Sequence, residues 1–240
     1  MNNALIFAGG SGSRMNSKGR PKQFLQFFGK ELIIHTLDNF QNHPLIDNII
    51  VVCIEDWIPY LNKILSKYEI TKVKSVVSGG KTGQESIYRG LCELRQIDSA
   101  EDSIVLIHDG VRPFINEDVI THCIDSVKNY GSAITIVPAT ETIITVEEGV
   151  VKKITDRSKC RLARAPQCFF LKDILEAHQK AIQDNNTEMI DSASLMMFYG
   201  HDLHVVEGNL DNIKITTPAD FYTFKALYEA RENQQIFGLN

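Results

Sequence analysis

Five short apolar runs, at residues 4–8, 48–54, 73–77, 103–107 and 133–137, alternate with stretches whose apolar residues recur at helical spacing. The run at 48–54 is continuous and rich in β-branched residues, the pattern of a strand buried on both faces. Leu32, Ile33, Leu37 and Phe40 mark a helix over 31–40, and the same period predicts helices over 56–68, 84–94 and 117–130. Pro59 is compatible with the second of these only in its first turn. Such a β-α-β-α-β-α-β-α-β order dictates a mostly parallel sheet flanked by helices and joined by right-handed crossovers. The expected class is α/β, Rossmann-like.

The regularity fails between Pro138 and Gln167. Residues 142–146 and 150–154 flank Glu147-Glu148-Gly149 and read as a β-hairpin with a glycine turn. A hairpin inserted into an α/β domain has little core of its own and needs a partner to cover it, so the 139–165 segment is expected to be a dimerisation arm; the alternative is a plain surface flap. Helices over 173–183 and 191–199, a strand over 203–207, a segment at 212–215 and a closing helix from Pro218 complete the chain. No linker, repeat or low-complexity stretch divides residues 1–240, so one domain with an arm is expected.

The net charge of −5 excludes a global basic field, and with it a nucleic-acid partner; any affinity for polyanions must come from local clusters. Of the five cysteines, none forms a C-x-x-C pair, and Cys53 and Cys123 sit in apolar patterns as small core residues. No apolar run approaches a membrane span and no leader-like segment opens the chain, so a reducing cytoplasm and no membrane partner are expected.

The chemistry-bearing residues gather at predicted strand ends. After the first strand, Gly9-Gly10-Ser11-Gly12-Ser13-Arg14-Met15 leads to Pro21-Lys22. Met15 stands where a dinucleotide fingerprint needs its third glycine, and no Gly-Lys-Ser/Thr completes a Walker loop. The glycines alone fit either a tight strand-to-helix turn or a nest of backbone N–H groups for an anion. Arg14 and Lys22 favour the nest. In open α/β sheets ligands bind outside the carboxyl ends of the strands. Gly79-Gly80, with Ser86 beyond it, and His108-Asp109-Gly110-Val111-Arg112-Pro113 would face the same crevice as the first loop. With Lys214 the crevice gathers four cations around Asp109, and a negative protein that concentrates cations in one cleft expects an anionic substrate. Asp109 can orient Mg²⁺ or a substrate hydroxyl, or cap the following turn, and its place at a ligand edge favours function. His108 reads as structural, because a phosphate monoester is already ionised near pH 7 and needs no general base. His201 and His204 lack a third ligand, and no G-x-S-x-G elbow supports a hydrolase.

Five ordered motifs carry a resemblance: Ala8 to Met15, Pro21-Lys22-Gln23-Phe24-Leu25, His108 to Pro113, Ala165-Pro166-Gln167 and Asn212-Ile213-Lys214-Ile215-Thr216. Together they resemble the CTP-dependent polyol-phosphate cytidylyltransferases over nearly the whole chain. The resemblance implies a nucleotidyltransferase fold and a homodimer. It implies that Ala8, Gly9, Gly10, Ser11 and Gly12 cradle the CTP triphosphate, and that Arg14, Lys22 and Lys214 stabilise charge on the reacting phosphates. Gly79-Gly80 and Ser86 would read the cytosine, and Asp109 and Gly110 would belong to the CTP-binding set. Asp109 and Arg112 would hold the ribose and the incoming polyol phosphate, joined at the latter by Thr142 and Arg157 from the partner's arm. Mg²⁺ would ride mainly on the triphosphate, with Asp109 as a candidate protein ligand. The sequence departs from the family at Ala165, where a threonine is usual, at Gly83, where an arginine is usual, and in the unusually basic run 159–164. Asp156-Arg157 leans toward family members that use 2-C-methyl-D-erythritol 4-phosphate. Ile33 to Leu37, Asp56-Trp57 and Val111 to Phe114 lean toward those that use ribitol 5-phosphate, which is the acceptor favoured.

Overall fold

The computed structural model describes residues 1–10 and 19–237. The expected alternation is present: β1 (Asn2–Ala8), α1 (Leu32–Asn42), β4 (Asn48–Cys53), α2 (Ile58–Lys67), β5 (Val73–Ser78), α3 (Gly83–Ile97), β6 (Ile104–Asp109), α4 (Glu117–Tyr130) and β7 (Ser132–Pro138) follow in order. A tight hairpin between β1 and α1, β2 (Gln26–Phe27) with β3 (Lys30–Glu31), was not expected. Its two-residue turn places Phe28 at φ 47° and Gly29 at φ 78°, the left-handed pair that matches the twist of two antiparallel strands. Pro59 lies in the first turn of α2, where its missing N–H costs no helical bond.

The exposed hairpin is also present, as β8 (Ile144–Glu147) and β9 (Val150–Ile154), turning through Glu148 and Gly149, both at positive φ. The chain then re-enters the sheet as β10 (Arg161–Phe170), antiparallel to both β6 and β7. This strand corrects the sequence reading, which carried the irregular segment almost to Gln167. Arginines and Pro166 argue against a central strand. The proline is accommodated because the ladder with β7 breaks between Ala163 and Gln167, where no N–H is required of it. After α5 (Leu171–Gln183), α6 (Ser192–Phe198) and β11 (Val205–Glu207), residues 212–215 form a turn and irregular chain before α7 (Pro218–Phe237).

The seven-stranded sheet runs β11-β7-β10-β6-β1-β4-β5. Its central strands are buried on both faces, with Leu5, Ile50, Val52 and Val105 toward α3 and α5, and Ile6, Val51 and Leu106 toward α1, α2 and α4. A third cluster joins Phe27, Leu32, Val111, Phe114, Ile215 and Phe224, and it fixes α7 and the turn before it against the mouth of the sheet. Cys53 and Cys123 are fully buried, as expected of core residues. Among the described residues no helix is long and apolar enough to cross a membrane.

Candidate active site

β6, β1, β4 and β5 are parallel neighbours, so their carboxyl ends share one edge of the sheet. The loop after Ala8, the Gly79-Gly80 turn and the 108–113 segment all emerge there. Gly110 donates its N–H to the Phe7 carbonyl at 2.9 Å, and a Cβ on Gly110 would stand 3.3 Å from that of Ala8. The first and third strand ends are therefore in contact. Gln23 staples the start of the glycine loop by donating from Nε2 to the carbonyls of Ala8 (2.6 Å) and Gly10 (3.3 Å). Those bonds tie the 3-10 turn containing buried Lys22 to Ala8 and Gly10. Ser11, Gly12 and Arg14 lie outside the described residues.

At the end of β5, Gly80 donates its N–H to Ser86 Oγ (2.9 Å), and that hydroxyl donates to the Thr82 carbonyl (2.8 Å). Thr82 caps α3 by accepting the Glu85 N–H. Gly80 and Ser86 are thus brought together by the capped first turn of a helix, whose N–H groups favour polar or anionic ligands.

Asp109 ends β6 and accepts from two cations. Its Oδ2 takes Arg112 Nε at 2.8 Å and its Oδ1 takes Lys214 Nζ at 2.6 Å. Burial pushes the Asp109 carboxyl up, but Lys214 and Arg112 outweigh it and hold the pKa down at about 2. Arg112 also donates Nη1 to the Asn212 carbonyl at 3.0 Å, and Ile215 donates its N–H to the Val111 carbonyl at 3.0 Å. These bonds pin the Lys214 segment to the end of β6. His108 is buried, and its Nε2–H donates to the Arg112 carbonyl at 3.1 Å. It supports the turn, and burial pushes its pKa down to about 4, which leaves it neutral and only weakly basic.

Asp109, Arg112 and Lys214 line a cavity of about 280 Å³, whose walls include Gln84, Arg164, Gln167, His178 and Asp191. Sequence reasoning missed Arg164 as a wall residue, although it lies in the basic run 159–164 that departs from the family pattern. Thr142 and Arg157 are not among the cavity's walls. Arg157 lies exposed at the base of the arm and donates Nη1 to the Thr140 carbonyl at 2.7 Å. No group of three or more histidine, cysteine or acidic side chains among the described residues could cage a metal.

An open α/β sheet takes its ligands at the carboxyl edge, and the cations gathered in the crevice there suit a phosphate-bearing ligand. The family model described as IspD, 2-C-methyl-D-erythritol 4-phosphate cytidylyltransferase, matches residues 3–229. The chain belongs to that family and is a CTP-dependent cytidylyltransferase. It is 52% identical over 240 residues to a ribitol-5-phosphate cytidylyltransferase of Streptococcus agalactiae serotype V, with both chains covered in full. It is 39% identical over 230 residues to a 2-C-methyl-D-erythritol 4-phosphate cytidylyltransferase of Clostridium novyi, covering 95% of this chain and 96% of that one. The crystal structure of 4-diphosphocytidyl-2C-methyl-D-erythritol synthase from Anaerococcus prevotii superposes with a TM-score of 0.82 at 27% identity, covering 95% of this chain and 96% of that one.

Burial lowers the pKa of His35, His43, His108 and His178 and so gives the stability of this fold a pH dependence, with the last two shifted furthest. Burial pushes both His108 and His178 from the ordinary 6.5 down to about 4. Between those values the unfolded chain binds more protons than the folded one, so stability is full above pH 6.5 and falls as the pH drops toward 4. The loss attributable to Asp109 begins lower, as the pH falls from 3.8 toward 2. Urea unfolding midpoints should therefore decline between pH 6.5 and 4, and less steeply in His178→Phe, which keeps a ring against Tyr88. An unchanged slope in that variant would contradict the assignment.

Proposed function

We propose that this enzyme transfers CMP from CTP to D-ribitol 5-phosphate, giving CDP-ribitol and pyrophosphate, and that it works as a homodimer of one-domain chains. The choice of acceptor rests on the relationship to the ribitol-5-phosphate enzyme, closer and longer than that to the methylerythritol enzyme. The observation that carries the site is Asp109 between Arg112 and Lys214 at the head of the cavity.

In the proposed reaction a phosphate oxygen of the acceptor attacks the α-phosphorus of CTP in line. A new P–O–P bond forms, the bond between the α- and β-phosphates breaks, and pyrophosphate takes the bonding electrons. The acceptor phosphate has its second pKa at about 6 and arrives ionised, so no general base is needed. Catalysis is then positioning and electrostatic stabilisation. Ala8, Gly9, Gly10, Ser11 and Gly12 cradle the triphosphate, and Arg14, Lys22 and Lys214 take up charge at the reacting phosphates. Gly80 and Ser86 read the cytosine through the α3 turn. Asp109 and Arg112 hold the ribose and face the acceptor, with Gly110 beside them in the CTP-binding set. Mg²⁺ bound to the triphosphate, with Asp109 in reach, would neutralise part of its charge.

The arm supports the dimer. Both of its strands are exposed along their whole length, including Ile144, Val146, Val150, Val151 and Ile154. An uncovered apolar surface of this kind marks an interaction site. A second copy of the chain would cover it and receive Thr142 and Arg157 beside its own acceptor.

Pyrophosphate release with CTP and Mg²⁺, measured across ribitol 5-, methylerythritol 4-, glycerol 3- and xylitol 5-phosphates, should be fastest with ribitol 5-phosphate. Faster release with methylerythritol 4-phosphate would replace the acceptor, and release with none would remove the proposal. In the same assay Lys22→Ala should lower kcat by about a hundredfold or more, the scale of removing one transition-state charge stabiliser, with an unchanged circular-dichroism spectrum. Near-normal kcat would remove Lys22 from the catalytic set.

A further inference from the structure

Arg164 has no carboxylate partner among the described residues, yet it is half-buried in the wall of the cavity that holds Asp109, Arg112 and Lys214. Its Nη1 donates to the Asn212 carbonyl at 3.3 Å, the same oxygen that accepts Arg112 Nη1 at 3.0 Å. Two guanidinium heads therefore donate to one oxygen. Asp109 is already engaged by Arg112 and Lys214, and the carboxylate of Asp191 caps α6 and binds Gln167. Three cations thus converge on this end of the cavity around one carboxylate.

The backbone places Arg164 there by a specific device. Along β10, Ala163 stands opposite Ile136 and Gln167 opposite Ile134, a step of four residues against two on β7. In an undisturbed strand successive side chains point to opposite faces, so Ala163, Arg164 and Ala165 cannot all line one cavity. Here all three do. The bulge re-aims the side chain, a recurrent use of such irregularities beside active sites.

Holding this cation in place works against its charge. Burial and the neighbouring Arg112 both pull the Arg164 pKa below its ordinary value. A like-charged pair turned into a partly desolvated cavity is costly unless an anion occupies the space between its members. A phosphate monoester offers three equivalent oxygens, enough to accept from two guanidinium forks and an ammonium together.

We infer that Arg164 is a binding residue for the acceptor, gripping its phosphate from within the same chain alongside Arg112 and Lys214. This inference rests on the proposed transfer to a polyol phosphate. The acceptor's phosphate would be held in the cationic end of the cavity, with the polyol chain extending along the wall toward Gln84, Gln167 and Asp191.

Steady-state kinetics of Arg164→Gln and Arg164→Leu test it, with CTP and ribitol 5-phosphate varied separately. Loss of a charge-assisted contact predicts a KM for ribitol 5-phosphate raised about tenfold or more, with the KM for CTP within about twofold of wild type. Arg164→Lys should recover part of the affinity. An unchanged acceptor KM, or equal rises for both substrates, would overturn the inference. Calorimetric titration with inorganic phosphate separates this from the choice of acceptor. Phosphate binding to the wild type that weakens in Arg164→Gln supports Arg164 as a phosphate ligand even if ribitol 5-phosphate is inactive in the wild type. Equal binding, or none to either protein, would overturn it.

Discussion

Asp109 lies at the end of a buried strand with a cation on each carboxylate oxygen, and the surrounding site is assembled through those two ion pairs. Arg112 comes from the loop that follows the strand. Lys214 comes from a turn more than a hundred residues further along the chain. Neither has another carboxylate partner among the described residues, so removing the Asp109 charge would leave two cations facing each other. The same geometry suits a site for phosphates. The carboxylate holds the cations in position without consuming all their hydrogen-bonding capacity, since Lys214 carries three donors and Arg112 five.

That arrangement depends on packing some distance away. Ile215, next to Lys214, is fully buried among Phe27, Phe114 and Phe224. Asp220 accepts the backbone N–H groups of Thr216 and Thr217 and fastens the start of α7. Phe224 of that helix packs against Phe27 and Phe114 at ring distances of 4.5 and 5.0 Å. The aromatic cluster thereby positions Lys214, although none of its members lines the cavity. On the other wall, Gln84 accepts from the Met189 N–H and donates to the Asn186 carbonyl, tying the α3 turn to the loop that precedes Asp191. Both sides of the cleft are braced by buried side chains from the core.

Much of the fold was legible because parallel strands buried on both faces leave unbroken apolar runs such as 48–54, and the helices between them keep a clear period. The charged cluster was legible for a related reason: parallel strands send their carboxyl ends to one edge, so motifs far apart in sequence could be placed together. β10 was not legible. It is antiparallel, half-exposed, carries Arg161 and Arg164, and contains Pro166, each a signal against a central strand. The irregularity that hid the strand also turns Arg164 into the cavity. The β2–β3 hairpin escaped notice because its strands are two residues long and Phe28, an unusual residue at positive φ, occupies half its turn. The pairing of Arg112 and Arg164 on the Asn212 carbonyl leaves no sequence signature, since any residue carries that oxygen.

The role of Asp109 as organiser of the cationic cleft underlies every other feature of the site. Its most direct test is kcat/KM for CTP and ribitol 5-phosphate in Asp109→Asn, alongside the thermal unfolding temperature. With the paired charge gone, kcat/KM should fall by about a hundredfold or more while the protein still unfolds cooperatively. A folded Asp109→Asn enzyme within about twofold of wild-type kcat/KM would contradict it.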